Sequence, residues 1–189
     1  MLRRANAQDA QVVLELLQQI FTDMELEIMK KYPQQIHNLL EETFREPKVY
    51  QNTIVIEKKQ QVVGVLIGYP AALEKEINSY YQKLAPKYGL PRNLELFAEE
   101  SWPDEWYLDS IAVAPAYQGQ GLATKLIAAL PQFFDVSLVG LNVDFQNQRA
   151  LRLYQRLGFQ IVGTTKIGSH QYHHMQKVSF PMINAAESD

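Results

Sequence analysis

The sequence predicts an α/β fold of the α+β type. A mixed, mostly antiparallel central sheet of about six or seven strands should carry helices on both faces. Three observations predict it. Two Val- and Ile-rich runs, residues 53–57 and 62–69, flank the polar turn Lys58-Lys59-Gln60-Gln61 and read as an antiparallel hairpin. From residue 106 onward, strand-like and helix-like segments alternate. No repeat, low-complexity run or linker divides the chain, so these elements belong to one body.

In order, residues 2–5 form a short strand. Asp9 then caps a helix on which Val12, Val13, Leu16, Leu17 and Ile20 recur at helical spacing. Residues 24–45 continue as helix with a break near Pro33, and carry Ile28, Ile36, Leu39, Leu40 and Phe44 among charges. Pro47 ends that stretch. The hairpin follows. Residues 70–104 are irregular and helical, punctuated by Pro86, Pro91 and Pro103. A strong strand covers 106–113 and stops before Pro115. A helix opens at Gly121 and runs to about residue 130. Residues 137–144 form a strand, and 146–157 a helix that Gly158 stops. Strands at 159–166 and 172–180 complete the set. The expected organisation is one domain over 1–180, with a helical insertion at about 70–104 and a C-terminal tail at 181–189.

Composition narrows the function classes. The 189 residues suffice for a sizeable core without staples. With no Cys, disulfides and thiol nucleophiles are excluded, which agrees with a reducing compartment. The start MLRRANAQDA lacks the apolar run of a secretory signal. No stretch approaches the roughly 20 apolar residues that cross a bilayer. A cytoplasmic protein without a membrane partner is expected. Net charge is −3 without a basic stripe, which argues against nucleic acid and favours a cationic substrate over an anionic one.

The most informative stretch joins the strand at 106–113 to a helix through Gly119 and Gly121. A helix start offers unpaired N–H groups and a dipole that favours negative charge. Glycines let the backbone approach a phosphate, and Ala123 extends that approach by one turn. The P-loop needs Gly-Lys-Ser/Thr, but Leu122 follows Gly121. The dinucleotide fingerprint needs a third glycine where Thr124 stands. Taken alone, the glycines mark only a turn between strand and helix.

The wider context adds a resemblance. Gln118-Gly119-Gln120-Gly121-Leu122-Ala123 resembles the acetyl-CoA signature of the GNAT superfamily: Gln or Arg, two residues, Gly, one residue, Gly or Ala. Ile111-Ala112-Val113 with Pro115 resembles that family's fourth strand. Asn147, Ala150, Tyr154 and Gly158-Phe159 are similar to its later helix and turn. The likeness is strongest over residues 106–159, and the connection at 70–104 is longer than the family's usual one.

The resemblance implies an acetyl-CoA-dependent N-acetyltransferase acting by direct attack in a ternary complex. The fourth and fifth strands should splay, with the pantetheine arm paired to backbone of Ile111 and Val113. An N–H near Val113 should steady the oxyanion. Cofactor-binding residues would be Ile111, Val113, Gln118, Gly119, Gln120, Gly121, Leu122, Ala123, Asn147 and Tyr154, with no metal. Tyr154 is the candidate acid for the departing thiolate, since a thiol near pKa 8.5 and a Tyr near 10 are roughly balanced. Otherwise it is a core aromatic. Asn147 lies two helical turns earlier on the same face, or merely caps the helix. Strand alternation puts Tyr107, Asp109, Ile111 and Val113 on one face, where Asp109 is the candidate base. A strand-end residue paired locally, with water relaying the proton, is its alternative.

Between residues 95 and 109 stand Glu95, Glu99, Glu100, Asp104, Glu105 and Asp109, with Trp102 and Trp106 and no Lys or Arg. They line an acceptor cleft that draws ammonium, or they solvate an outer helix face. On a strand, His170 and His174 share a face but lie roughly 13 Å apart, and His173 points away, so one metal ion does not collect them. Exposed or cleft-edge histidines are expected. Lys125, Arg149 and Arg152 either meet the extra phosphate of CoA or serve the surface. The acceptor, a small molecule or a peptide amine, stays open, as does a homodimer. An acetyl-CoA-binding sensor or scaffold without turnover is the alternative function.

Overall fold

A computed structural model describes residues 1–23, 27–91 and 99–178. Glu95, residues 179–180 and the tail at 181–189 lie outside the described residues. The chain opens with strand β1 (Leu2–Arg4) and helix α1 (Ala10–Asp23). Asn6, rather than Asp9, caps this start. Gln8 N–H donates to Asn6 Oδ1 at 2.9 Å, and Asp9 accepts from Asn6 N–H at 2.8 Å, a reciprocal capping box. Asp9 also receives a forked pair from Arg3, at 2.7 and 2.8 Å.

Helices α2 (Glu27–Lys31) and α3 (Pro33–Phe44) follow, parted at Pro33 as expected. Pro47 does not merely stop helix. It occupies the first turn of a short new one, α4 (Pro47–Tyr50), where its missing N–H costs nothing. The hairpin is β2 (Thr53–Lys58) and β3 (Gln61–Pro70), turned by Lys59 and Gln60 at positive φ. Helix α5 (Glu74–Leu84) precedes β4 (Trp106–Val113). Then come α6 (Leu122–Ala128), α7 (Leu130–Phe133), β5 (Leu138–Asp144), α8 (Gln148–Arg156), β6 (Gln160–Ile167) and β7 (His170–Val178).

The seven strands lie in the order β1-β2-β3-β4-β5-β7-β6. All neighbours are antiparallel except β4 and β5. On one face, Val13, Leu17, Leu39, Phe44 and Ile77 pack on Val55, Val65, Ile67 and Tyr107. On the other, Leu126, Leu130, Leu151 and Tyr154 pack on Ile54, Leu66, Leu108, Leu141 and Met175. Each fully buried aliphatic side chain contributes about 1.5–3 kcal/mol, so both helical layers are tied to the sheet. No helix among the described residues is long and apolar enough to cross a membrane.

Two features of β4 place the site. Its parallel pairing with β5 covers only Trp106, Tyr107 and Leu108, opposite Val139, Gly140 and Leu141. Beyond Leu108 the two strands part. At the same point the register with β3 slips: Ile67 faces Ser110 while Gly68 faces Leu108, which leaves Asp109 as a bulge. A bulge inserts one residue and re-aims those that follow. Strict alternation therefore fails here. Tyr107 belongs to the core under α1 and α5, whereas Ile111 and Val113 pack on the opposite face. The expected shared face of Tyr107, Asp109, Ile111 and Val113 is broken at Asp109.

Candidate active site

The parting of β4 and β5 opens a cavity of about 680 Å³. It runs from the glycine loop, past the free edge of β4, to a wall made by α1, α5 and the segment before β4. Of the ten expected cofactor residues, Ile111, Val113, Gln118, Gly119, Gly121, Leu122, Ala123, Asn147 and Tyr154 line it. Gln120 is the exception: its side chain accepts from Lys58 Nζ at 2.7 Å, outside the cavity lining.

The loop has the shape its glycines suggested. Gly119 and Gly121 both hold positive φ, 74° and 73°, a region that L side chains enter at a cost. Among the described residues nothing lies within 4 Å of where a Cβ would stand on either, so the space beside them is open. The helical ladder starts only with Lys125 N–H donating to the Gly121 carbonyl at 3.0 Å, which leaves the first-turn N–H groups of α6 without intrahelical acceptors. Gln118 Nε2 donates to the Val113 carbonyl at 3.0 Å and ties the loop to the strand end. An open cradle of backbone donors fits the pyrophosphate of acetyl-CoA. Arg149 is among the residues lining the cavity, while Lys125 and Arg152 are not.

Tyr154 projects from α8, buried edge-on against Phe159 at 5.8 Å between ring centroids. Burial pushes its hydroxyl up to about 12. Against a thiol at its solution value of about 8.5, proton release from Tyr154 is uphill, not balanced. A thiolate leaving into the same apolar surroundings is raised by the same cause, which restores part of the match. Asn147 caps α8, its Oδ1 accepting from Ala150 N–H at 3.0 Å, and also borders the cavity.

Asp109 sits at the cavity with solvent access through the cleft mouth. It accepts from Ser110 Oγ at 2.8 Å and Tyr69 O–H at 3.2 Å. The protein crowded around it raises its carboxyl above the usual range, and the charge of Glu74 adds to this. The two hydroxyl bonds work the other way.

The acidic run does not act as one surface. Glu99 and Asp104 are exposed, and Glu99 lies 3.9 Å from Lys75. Glu105 is buried, and Gly140 makes room for it: a Cβ there would stand 1.8 Å from its Oε2. Glu100 lines the cavity together with Asp109. The tryptophans do not line the cavity. Trp102 stacks on His174 at 4.2 Å, and Trp106 is buried against Phe134 at 5.2 Å.

The histidines are not an exposed set either. His174 is fully buried between Asn142 (2.8 Å) and Glu105 (3.1 Å). His170 pairs with Asp144 at 2.7 Å, and His173 stacks on Phe145 at 4.1 Å. No metal-holding group occurs among the described residues. Asn142 and the buried Glu105–His174 pair carried no signal in the sequence. Their pairing joins residues far apart in the chain, across β5 and β7.

Comparison with known proteins agrees with this geometry. A family model described as the acetyltransferase (GNAT) family matches residues 11–159. A crystal structure described as an acetyltransferase is 39% identical, with a TM-score of 0.80, covering 94% of this chain and 98% of that one. An N-acetyltransferase from Staphylococcus aureus Mu50 is 30% identical, with a TM-score of 0.81, covering 94% and 100%. N-alpha-acetyltransferase RimI of Mycobacterium tuberculosis is 43% identical over 61 residues, which span 32% of this chain and only 39% of that relative.

Proposed function

Because the chain belongs to the acetyltransferase (GNAT) family, we propose that it moves an acetyl group from acetyl-CoA to a primary amine by direct attack in a ternary complex. The observation that carries this is the continuity of one cavity from the glycine loop, along the unpaired edge of β4, to Asp109 and Glu100. Anion cradle, free strand edge and carboxylates stand in the order that phosphate, thioester and amine require.

The chain's own groups divide the work. First-turn N–H groups of α6 and the loop at Gly119 and Gly121 hold the pyrophosphate. The edge of β4 at Ile111 and Val113 pairs with the extended pantetheine arm as an added strand does. A backbone N–H near Val113 receives the negative charge that develops on the thioester oxygen. The Tyr154 hydroxyl stands ready to protonate the sulfur. Asp109, with its raised carboxyl, faces the side from which the amine enters.

The acceptor is a cationic amine, small or peptidic. Asp109 and, once ionised above about pH 8, Glu100 supply negative potential at the cavity wall, and Leu17, Ile20 and Phe21 of α1 supply apolar surface beside it. Thiol release measured over polyamines, amino sugars, peptide N-termini and lysine peptides tests the proposal. Turnover with at least one class is expected. Acetyl-CoA binding without turnover on any of them would mark the chain as a sensor or scaffold instead.

A further inference from the structure

Glu100 lies just before β4 and reaches the cavity wall. Its Oε2 accepts from the Tyr107 hydroxyl at 2.7 Å. The Tyr107 oxygen in turn lies 3.0 Å from Asn142 Nδ2, and that nitrogen also lies 3.1 Å from the Glu100 carbonyl. A backbone carbonyl only accepts, so the nitrogen of the Asn142 amide must be the atom facing it. Asn142 Oδ1 then faces His174 Nδ1 at 2.8 Å, and this ring nitrogen carries the hydrogen. His174 Nε2 ends the chain at Glu105 Oε2, 3.1 Å away, and Gln176 Nε2 donates to that same oxygen at 2.9 Å.

These constraints set one direction along the chain. His174 donates to Asn142, Asn142 to Tyr107, and Tyr107 to Glu100. Glu100 Oε2 is therefore fixed and satisfied from within the protein. Glu100 Oε1 is buried and, among the described residues, has no hydrogen-bond partner. A buried carboxylate oxygen without a donor is costly, of order 1–3 kcal/mol or more for a charged group. Glu100 is also one of the residues that line the cavity.

We propose that Glu100 is a catalytic residue that receives the acceptor's ammonium on Oε1 and takes one proton from it. This rests on the amine-acetylating function proposed above. An N–H bond of the ammonium breaks and an O–H bond forms on Glu100. The neutral amine's lone pair then forms the C–N bond to the thioester carbon as the C–S bond breaks. The sulfur keeps the electron pair and takes a proton from Tyr154, which is reloaded by the second proton the nitrogen sheds. Glu100 returns its proton to water through the cavity mouth. Ammonium plus thioester thus become amide, thiol and one proton.

The electrostatics suit this role. Burial, then the charges of Asp109 and Glu74, raise the Glu100 carboxyl, the Tyr107 bond lowers it, and the result is about 8. The groups facing it are Glu74 from α5, Tyr69 from β3, Asp109 and Tyr107 on β4, and Tyr172 from β7. The Tyr107 hydroxyl lies well above its ordinary range because it is buried, with the charges of Glu100 and Asp109 next, so it stays a donor. A base acts when ionised. The acceptor's kcat/KM should therefore rise with pH to a plateau above about 8.

The test is the pH profile of kcat/KM and kcat for wild type, Glu100→Gln, Tyr107→Phe and Asp109→Asn, with acceptors whose amines differ in basicity. Glu100→Gln should lose the limb near pH 8 and drop kcat by about 10²–10⁴-fold, with acetyl-CoA affinity kept. Tyr107→Phe removes the bond that lowers Glu100 and should move the limb to higher pH. Asp109→Asn removes a raising charge and should move it to lower pH. A purely structural role for Glu100 predicts neither movement. Should Glu100→Gln fail to fold, the opposed shifts of the other two variants still decide. Wild-type turnover with an unchanged limb in Glu100→Gln, or a limb that ignores Tyr107→Phe and Asp109→Asn, overturns this inference alone. A wild-type chain that acetylates no amine overturns the function and the inference together.

Discussion

Gly121→Val separates what the protein needs from what its ligand needs. Gly121 holds φ at 73° and caps α6, and a Cβ there would meet no atom of the described residues within 4 Å. The folded chain thus loses only the conformational preference, about 1–2 kcal/mol for an L residue in the left-handed region. For a domain of this size that lowers Tm by about 2–8 °C, and the protein stays folded. The empty volume beside Gly121 is, however, where the pyrophosphate is proposed to lie. A valine side chain there displaces it from at least one backbone donor. A hydrogen bond to a charged group contributes about 1.5–3 kcal/mol, so acetyl-CoA should bind about 10- to 150-fold more weakly. Calorimetry with acetyl-CoA reads this directly. Acetyl-pantetheine, which lacks the pyrophosphate, serves as the control and should bind both proteins alike. A folded Gly121→Val protein with wild-type affinity for acetyl-CoA refutes the cradle. An equal loss for both ligands refutes the pyrophosphate's placement within it.

Tyr154→Phe keeps the packing against Phe159 and removes only the hydroxyl, so acetyl-CoA affinity should hold while kcat falls by about 10²–10⁴-fold. A loss well below that range in steady-state turnover would assign thiolate protonation to water. At a pH above about 8, where Glu100 is ionised, raising ionic strength from about 0.1 to 1 M shortens the screening length from about 10 to 3 Å and should raise the acceptor's KM about fivefold, roughly 1 kcal/mol, leaving that of acetyl-CoA flat. A flat acceptor KM in that salt series would remove Glu100 and Asp109 from acceptor capture. Gly140→Ala forces a methyl to within 1.8 Å of the Glu105 carboxylate and should cost about 3–5 kcal/mol, a drop of about 10 °C in thermal denaturation. An unchanged Tm there would mean that the Glu105–His174 pair shifts freely.

What the residues declared in advance was local. Alternating Val and Ile with a polar turn gives a hairpin wherever it occurs, so β2 and β3 were legible to within a residue or two. Gly119, Gly121 and the helix after them follow from backbone freedom and from N–H groups that no turn of helix can satisfy, and their cradle was legible for the same reason. Tyr154 and Asp109 stood out in the sequence and both line the cavity, but their proton affinities were not legible, because burial depends on what the rest of the chain places around them. Tertiary structure alone decided the rest. The bulge at Asp109 is a register slip between two strands, invisible in either strand alone, and it turned Ile111 and Val113 to the face opposite Tyr107. The acidic run looked like one charged surface because its residues are sequence neighbours. Folding sent Glu99 and Asp104 outward, buried Glu105 against His174, and left Glu100 at the cavity. That sorting depends on Gly140, Asn142, His174 and Gln176, which lie 35 or more residues away in β5 and β7, and no local pattern encodes a hydrogen bond across that separation.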